Sequence, residues 1–400
     1  MWLRRAHVPP PFLGQPYEGL VDIAIEKDRI IAVQPALPPA PMHPEDWDLE
    51  GGIVLPCFVD CHTHLDKAYT WERAPNPDGT FTGALTALAA DRIHWTAADL
   101  YQRMEFALER SYRHGTRALR THLDVPPGQL AISVGVFQEL QQAWGDRMTL
   151  QAVSLISLDL FLDEYGEKVA DTFAQLGGVL GGVAYANPDL PAHLDRVLTL
   201  AKDRHLALDF HVDETNDPHS QCLKAVAEAV IRHQFSYPVT CGHCCSLALQ
   251  PEEVVKQTID LVKAAGISII SLPTCNLYLQ DRQAKRTPRW RGITLIHELD
   301  QAGIPVAIGH DNCRDAFYPL GDHDLLQIFA TATLIGHLDN PYHHWLPCIT
   351  TTPARIMGIE PGLIAPGSAA DMILFSSRTY GELLSRPQSD RQVIRKGRLI

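Results

Sequence analysis

Eight short runs of β-branched and small apolar residues, most followed by a stretch of helical periodicity, constrain this chain more than any other feature. The runs are Val54–His64, Arg117–Asp124, Thr149–Ile156, Val179–Tyr185, Leu206–Glu214, Pro238–Cys244, Ile267–Cys275 and Ile304–Asn312. Between them the pattern predicts helices over Ala97–His114, Val134–Trp144, His193–Arg204, Ser220–His233, Glu252–Ala265 and Thr294–Ala302. A strand buried on both faces reads as an apolar run, and a parallel neighbour needs a crossover helix, so this alternation specifies a parallel sheet. Eight such units predict an α/β fold, a (β/α)8 TIM-type barrel, with its chemistry at the carboxyl ends of the strands.

Both ends of the chain read differently. Alternating pieces at Val21–Ile25, Arg29–Val33, Asp371–Phe375 and Gln392–Gly397 predict strands of one small β domain built from both termini. Segments rich in Pro and Gly at Pro35–Pro44 and Pro361–Gly367 punctuate the two ends. The expected division is residues 1–53 and 359–400 for the β domain and 54–358 for the catalytic barrel.

Composition removes several function classes. With 46% hydrophobic and 20% charged residues the chain is of ordinary globular type. A net charge of -13 argues against a nucleic-acid partner, because phosphate binding needs clustered Lys and Arg. Met1–Arg5 is followed by Pro9–Pro11 rather than by an apolar stretch, so neither a signal peptide nor a membrane span is expected, and the location read from this is cytoplasmic. Nine cysteines, among them Cys241, Cys244 and Cys245, read as reduced core residues rather than as a zinc knuckle.

The strand ends carry the chemistry. Residues two apart on a strand point to one side, so His62 and His64 converge on one point. His211, His243 and Asp311 close the fifth, sixth and eighth runs. Three neutral imidazoles and one carboxylate, His62, His64, His211 and Asp311, form a mixed nitrogen and oxygen shell that suits zinc, iron or manganese. The fourth run has no lysine that could be carboxylated to bridge two metals, which favours one ion, and hydroxide generated there is the expected nucleophile. Glu214, three residues after His211, is placed to move a proton between water and a substrate ring nitrogen. His243 and Asp311 are the remaining candidates for polarising the attacked centre and carrying a proton to the leaving group.

Several segments then resemble the amidohydrolase superfamily and, within it, the cytosine deaminase group. They are Pro56–Asp66, Arg120–Val125, His211–Glu214, Asn276–Gln280, Arg291–Thr294, Gly309–Asp311 and Tyr318–Gly321, in family order. The resemblance implies a barrel with a β-sandwich made from both termini, one Fe2+ or Zn2+ ion held by His62, His64, His211 and Asp311, and proton handling by Glu214, His243 and Asp311. It also implies hydrolytic release of ammonia from a cytosine-like cyclic amidine by attack of metal-bound hydroxide. Phe317 falls where the group has an aromatic residue beside the ring, and Ser157 and Gln280 are the other expected substrate contacts. The partner is a small heterocyclic substrate, and a homo-oligomer is expected.

Two departures open alternatives. Ser157 stands where cytosine deaminases carry a glutamine that reads the pyrimidine edge, and Asn312 stands where close relatives can carry a second carboxylate. An unmatched polar edge costs roughly 1–3 kcal/mol, so a related ring such as isocytosine or creatinine competes with cytosine. The run His64–Lys67 resembles a sister branch that removes alkylamino groups from triazines, while Glu214 favours deamination. A non-catalytic scaffold would show an eroded metal site, which this ligand set does not.

Overall fold

The computed structural model describes residues 1–15, 17–38 and 43–400, so residues 39–42 of the expected Pro35–Pro44 boundary lie outside the described residues. The chain divides into two compact units. One comprises Met1–Asp60, Arg110–Ala118 and Asp324–Ile400, and the other comprises Cys61–Glu109 and Leu119–His323.

Eight strands carry the parallel architecture: β1 (Phe58–Thr63), β2 (Thr116–Asp124), β3 (Thr149–Leu155), β4 (Leu180–Ala184), β5 (Leu208–Val212), β6 (Val239–His243), β7 (Ser268–Ser271) and β8 (Val306–Ile308). β4 to β8 pair in chain order as a five-stranded parallel sheet, and β1 to β3 form a three-stranded one. Bridges Val153–Val179 and Ser157–Val183 join one pair of edges, and Thr63–Asp311 joins the other. These strands are short and almost wholly buried, as a sheet covered on both faces must be.

The expected helices form within a few residues of their predicted bounds, for example Ala97–Arg113 and Glu252–Ala264. Two runs divide. Within Ile267–Cys275 the strand stops at Ser271, because Pro273 opens the helix Pro273–Leu279 at a position where its missing N–H costs nothing. Within Val54–His64 the piece Val54–Pro56 pairs antiparallel with Met372–Leu374, and β1 begins at Phe58. An unexpected helix, Phe81–Asp91, starts where Thr80 accepts a hydrogen bond from Gly83 N–H at 3.0 Å. The 3-10 turn Arg92–His94 continues it.

The other unit contains two four-stranded sheets. Arg29–Pro35, Val21–Glu26, Trp2–Ala6 and Trp47–Asp48 form one; Arg398–Leu399, Gln392–Arg395, Met372–Leu374 and Val54–Pro56 form the other. Each therefore draws on sequence that the alternating terminal pieces supply. No helix among the described residues is long and apolar enough to cross a membrane. All nine cysteines are buried and free, including Cys241, Cys244 and Cys245.

Candidate active site

The strand ends bring together the side chains that the sequence singles out. His62 Nε2 lies 3.6 Å and His64 Nε2 3.2 Å from Asp311 Oδ1, and His211 Nε2 lies 3.2 Å from His64 Nε2. Small neighbours make this approach possible. A side chain at Gly242 would begin 2.9 Å from His62 Cε1, and one at Gly309 would begin 2.9 Å from His62 O. The backbone is also bent to the purpose: Asp213, His243 and Asp311 take left-handed φ values of 54, 70 and 66°. Non-glycine residues in that region store strain of order 1–3 kcal/mol each, and such strain gathers at functional sites.

Burial sets the protonation of the cluster. It depresses the pKa of His62, His64 and His211 well below the ordinary 6.5, and neighbouring histidines and Lys67 add to the effect. Neutral imidazoles are what a metal ligand requires. His211 Nδ1 and both ring nitrogens of His122 are buried without a hydrogen-bond partner among the described residues. Ligand atoms of His62, His122 and His211 lie within 4.8 Å of one another, as do those of His62, His243 and Asp311. Facing imidazole lone pairs beside a buried carboxylate repel unless a cation lies between them, so the donor set fits a divalent ion. His122, on β2, is a member of this cluster that the sequence reading quoted only as part of a motif.

Glu214, His243 and Asn276 form the adjoining group. Asn276 Nδ2 lies 3.0 Å from His243 Nδ1 and 3.4 Å from Glu214 Oε1, and His243 Nδ1 is 3.5 Å from Glu214 Oε1. An amide N–H donated to His243 Nδ1 leaves the ring proton on Nε2. Burial pushes the pKa of His243 down to about 3, so it is neutral, and pushes Glu214 well above 4.5, with the Asp311 charge adding to the rise. Both shifts favour the uncharged form, so Glu214 is biased toward its protonated state and His243 offers an N–H. Asn276 orients both, a role hidden in the sequence because it depends on a contact 62 residues away.

These groups open onto a cavity lined by His64, His211, Glu214, His243 and Asp311. Lys67, Phe81, Arg92, Asp124, Ser157 and Phe317 also line it. Phe317 meets Phe81 edge-on at 5.8 Å and Lys67 Nζ at 5.1 Å. The Ser157 hydroxyl is bonded to Asp159. Gln280 lines a second cavity, which shares Phe81, Val183, Tyr185, His211 and Glu214 with the first.

A barrel with imidazole and carboxylate groups converging at its strand ends defines a class of metal-site hydrolase, and comparison with known proteins gives the family. The sequence pattern of the amidohydrolase family matches residues 112–400. A pterin deaminase of Rhizobium rhizogenes is 50% identical over 394 residues, covering 97% of this chain and 90% of that protein. The chain belongs to the amidohydrolase family. An N-isopropylammelide isopropyl amidohydrolase of Pseudomonas sp. is 25% identical, covering 96% of this chain and 94% of that protein. Among solved structures, a 5-methylcytosine deaminase from Klebsiella pneumoniae liganded with 5-fluorocytosine superposes with a TM-score of 0.88 at 25% identity, covering 100% of this chain and 97% of that one.

Proposed function

We propose that this protein is a hydrolytic deaminase of a pterin, a fused two-ring system whose 2-amino-4-oxo ring is a cyclic amidine, and that it releases ammonia from the amino-bearing carbon. The observation that carries this reading is the Glu214–His243–Asn276 group set against the histidine and aspartate cluster. The 50% identity to a pterin deaminase over nearly the whole chain supports the ring. Cytosine, favoured by the motif resemblance alone, gives way to a pterin because Ser157, bonded to Asp159, offers no amide to read a pyrimidine edge.

His62, His64, His211 and Asp311 would hold one divalent ion, zinc or ferrous iron. Such an ion supplies Lewis acidity, lowering the pKa of a water in its shell from about 15.7 toward about 7. The protein's own groups handle the protons. Protonated Glu214 gives its proton to the ring nitrogen beside the attacked carbon. As water adds to that carbon, Asp311 takes one of its protons, and His243 Nε2–H donates a hydrogen bond to the oxygen. The resulting Glu214 carboxylate then takes the remaining oxygen-bound proton while Asp311 returns its own to the amino group. The carbon–nitrogen bond breaks, ammonia leaves and a ring carbonyl remains. In this reading the two terminal sheets form the β-sandwich, drawn mainly from residues 1–53 and 359–400.

The test is ammonia release by protein reconstituted separately with zinc and ferrous iron, offered pterin, isocytosine, cytosine, creatinine and N-isopropylammelide. Turnover of pterin is expected, and Glu214→Gln should lose about 10²–10⁴-fold in kcat while retaining metal. Isopropylamine release from the ammelide with no activity on pterin would overturn the reading.

A further inference from the structure

The cavity lacks an amide donor where the ring edge would be read, because the Ser157 hydroxyl is spent on Asp159. Other polar side chains of the lining are engaged as well. Asn312 is held at both ends of its amide, Nδ2 donating to Asp315 Oδ2 at 2.7 Å and Oδ1 accepting from Cys275 Sγ. The Tyr185 hydroxyl can donate or accept, so it does not discriminate between a carbonyl and an amino group.

Lys67 is different. It lines the cavity with Phe317, Glu214 and His243, and its side chain keeps 7% of its surface open. Its Nζ stands 5.1 Å from the centre of the Phe317 ring, within cation–π range. Its charge acts on His64, His211, His243 and Glu214, which puts the ammonium within electrostatic reach of all four. An ammonium has three N–H donors and accepts nothing. One of them meets Asp124 Oδ1 at 2.9 Å and fixes the side chain. Asp124 also serves Arg92 through its other oxygen, at 2.7 Å, so one carboxylate faces two cations. Asp66 and Asp315 add negative charge, yet neither forms an ion pair with Lys67 among the described residues. Asp66 Oδ2 accepts the Asp124 backbone N–H at 2.6 Å, and Asp315 accepts from Asn312 and from the backbone N–H groups of Phe317 and Tyr318. Lys67 therefore brings more donors to the cavity than Asp124 consumes.

We propose that Lys67 is a specificity-determining residue that donates a hydrogen bond to the ring carbonyl oxygen of the substrate, the 4-oxo group of a pterin. The inference rests on the deaminase reading above. In a 2-amino-4-oxo ring a single nitrogen separates the amino-bearing carbon from the carbonyl carbon. With Glu214 serving that nitrogen, the carbonyl oxygen lies on the ring edge that faces Glu214, whose carboxyl already feels the Lys67 charge. An obligate donor at that edge accepts a carbonyl and opposes an amino group, which supplies the recognition that Ser157 does not.

The alternative is that Lys67 only neutralises Asp124, and a ratio of substrates separates the two roles. The experiment compares kcat/KM for loss of the 2-amino group from pterin and from 2,4-diaminopteridine in the metal-loaded native enzyme, Lys67→Gln and Lys67→Met. Each ratio is internal to one protein, so a fraction of unfolded chain cancels. The native enzyme should prefer pterin, because a buried donor left facing another donor is strongly penalised. In Lys67→Gln, whose amide can donate or accept, the preference should fall about 10- to 100-fold, the range for a hydrogen bond to a charged group. Lys67→Met should lose the preference as well, with the loss on pterin residing in KM, because the contact is made equally in ground and transition states. Equal loss on both substrates, or no preference in the native enzyme, would overturn the proposal. Calorimetric binding of lumazine and isopterin, which differ only in carrying an oxo or an amino group at position 4, is measured in parallel. Absence of turnover on either substrate would contradict the deamination reading, while a Lys67-dependent preference for lumazine in that binding would still support the carbonyl contact.

Discussion

Two walls of one cavity satisfy buried polar groups in opposite ways. On the strand-end wall, burial holds His62, His64 and His211 neutral, and their ring nitrogens face one another and Asp311 at 3.2–3.6 Å. In the proposed reading that wall is completed from outside, by a cation. On the wall that carries Lys67 and Asp124, the two keep their charges by pairing: burial works against the Lys67 ammonium, but Asp124 and Asp66 outweigh it and hold its pKa above 10.5. That wall pairs its own charges: Lys67 and Arg92 both meet Asp124. The contrast teaches that the first wall is built for chemistry and depends on loading, whereas the second is built for shape and contributes to folding.

The largest effect should come from breaking the strand-end wall. His211→Ala, or removal of metal by a chelator, should lower turnover by more than about 100-fold, the upper range for residues that merely orient ligands. Added zinc should raise the melting temperature of the native apoprotein, by about 2.7 kcal/mol of stability at a hundred times Kd, and should fail to do so in His211→Ala. Equal stabilisation of both proteins would place the ion elsewhere.

Breaking the other wall should act on folding first. Asp124→Ala leaves Lys67 buried without its partner, and such losses cost about 3–5 kcal/mol, which denaturant unfolding of the metal-free protein reads directly. A cost below about 1 kcal/mol would show that water reaches the pair.

A smaller effect sharpens the comparison at the edge of the same region. Burial raises the Asp99 carboxyl, but hydrogen bonds from Arg73 and Arg103 outweigh it and hold its pKa at about 2, below the ordinary 3.8. Because the folded value lies below the unfolded one, the stabilisation is present above 3.8 and is lost as pH falls through about 2. Melting temperatures between pH 5 and 2 should therefore fall less steeply in Asp99→Asn than in the native chain; parallel curves would remove Asp99 from the account.

The two walls also differ in how far the sequence discloses them. His62 and His64 share a strand face by their spacing, and His211, His243 and Asp311 end apolar runs, so local periodicity alone points to them. The parallel strands were legible for the same reason. Arg92 is different: it follows a helix that no strong amphipathic pattern announces and reaches Asp124 across 32 residues. Asn276 likewise meets His243 from a helix hidden in what reads as the end of a strand. Val54–Pro56 reads as the start of the first barrel run, yet its partner is Met372–Leu374, more than 300 residues on, a pairing no local pattern reveals. Contacts fixed by tertiary approach leave no periodic trace in the chain.

The most direct test of the deaminase reading is mass analysis of pterin incubated with the zinc-loaded protein in water enriched in oxygen-18. The predicted result is replacement of the amino group by one labelled oxygen, with ammonia formed in equal amount and both lost in Glu214→Gln. Unchanged pterin in the presence of a bound, stabilising ion would contradict it.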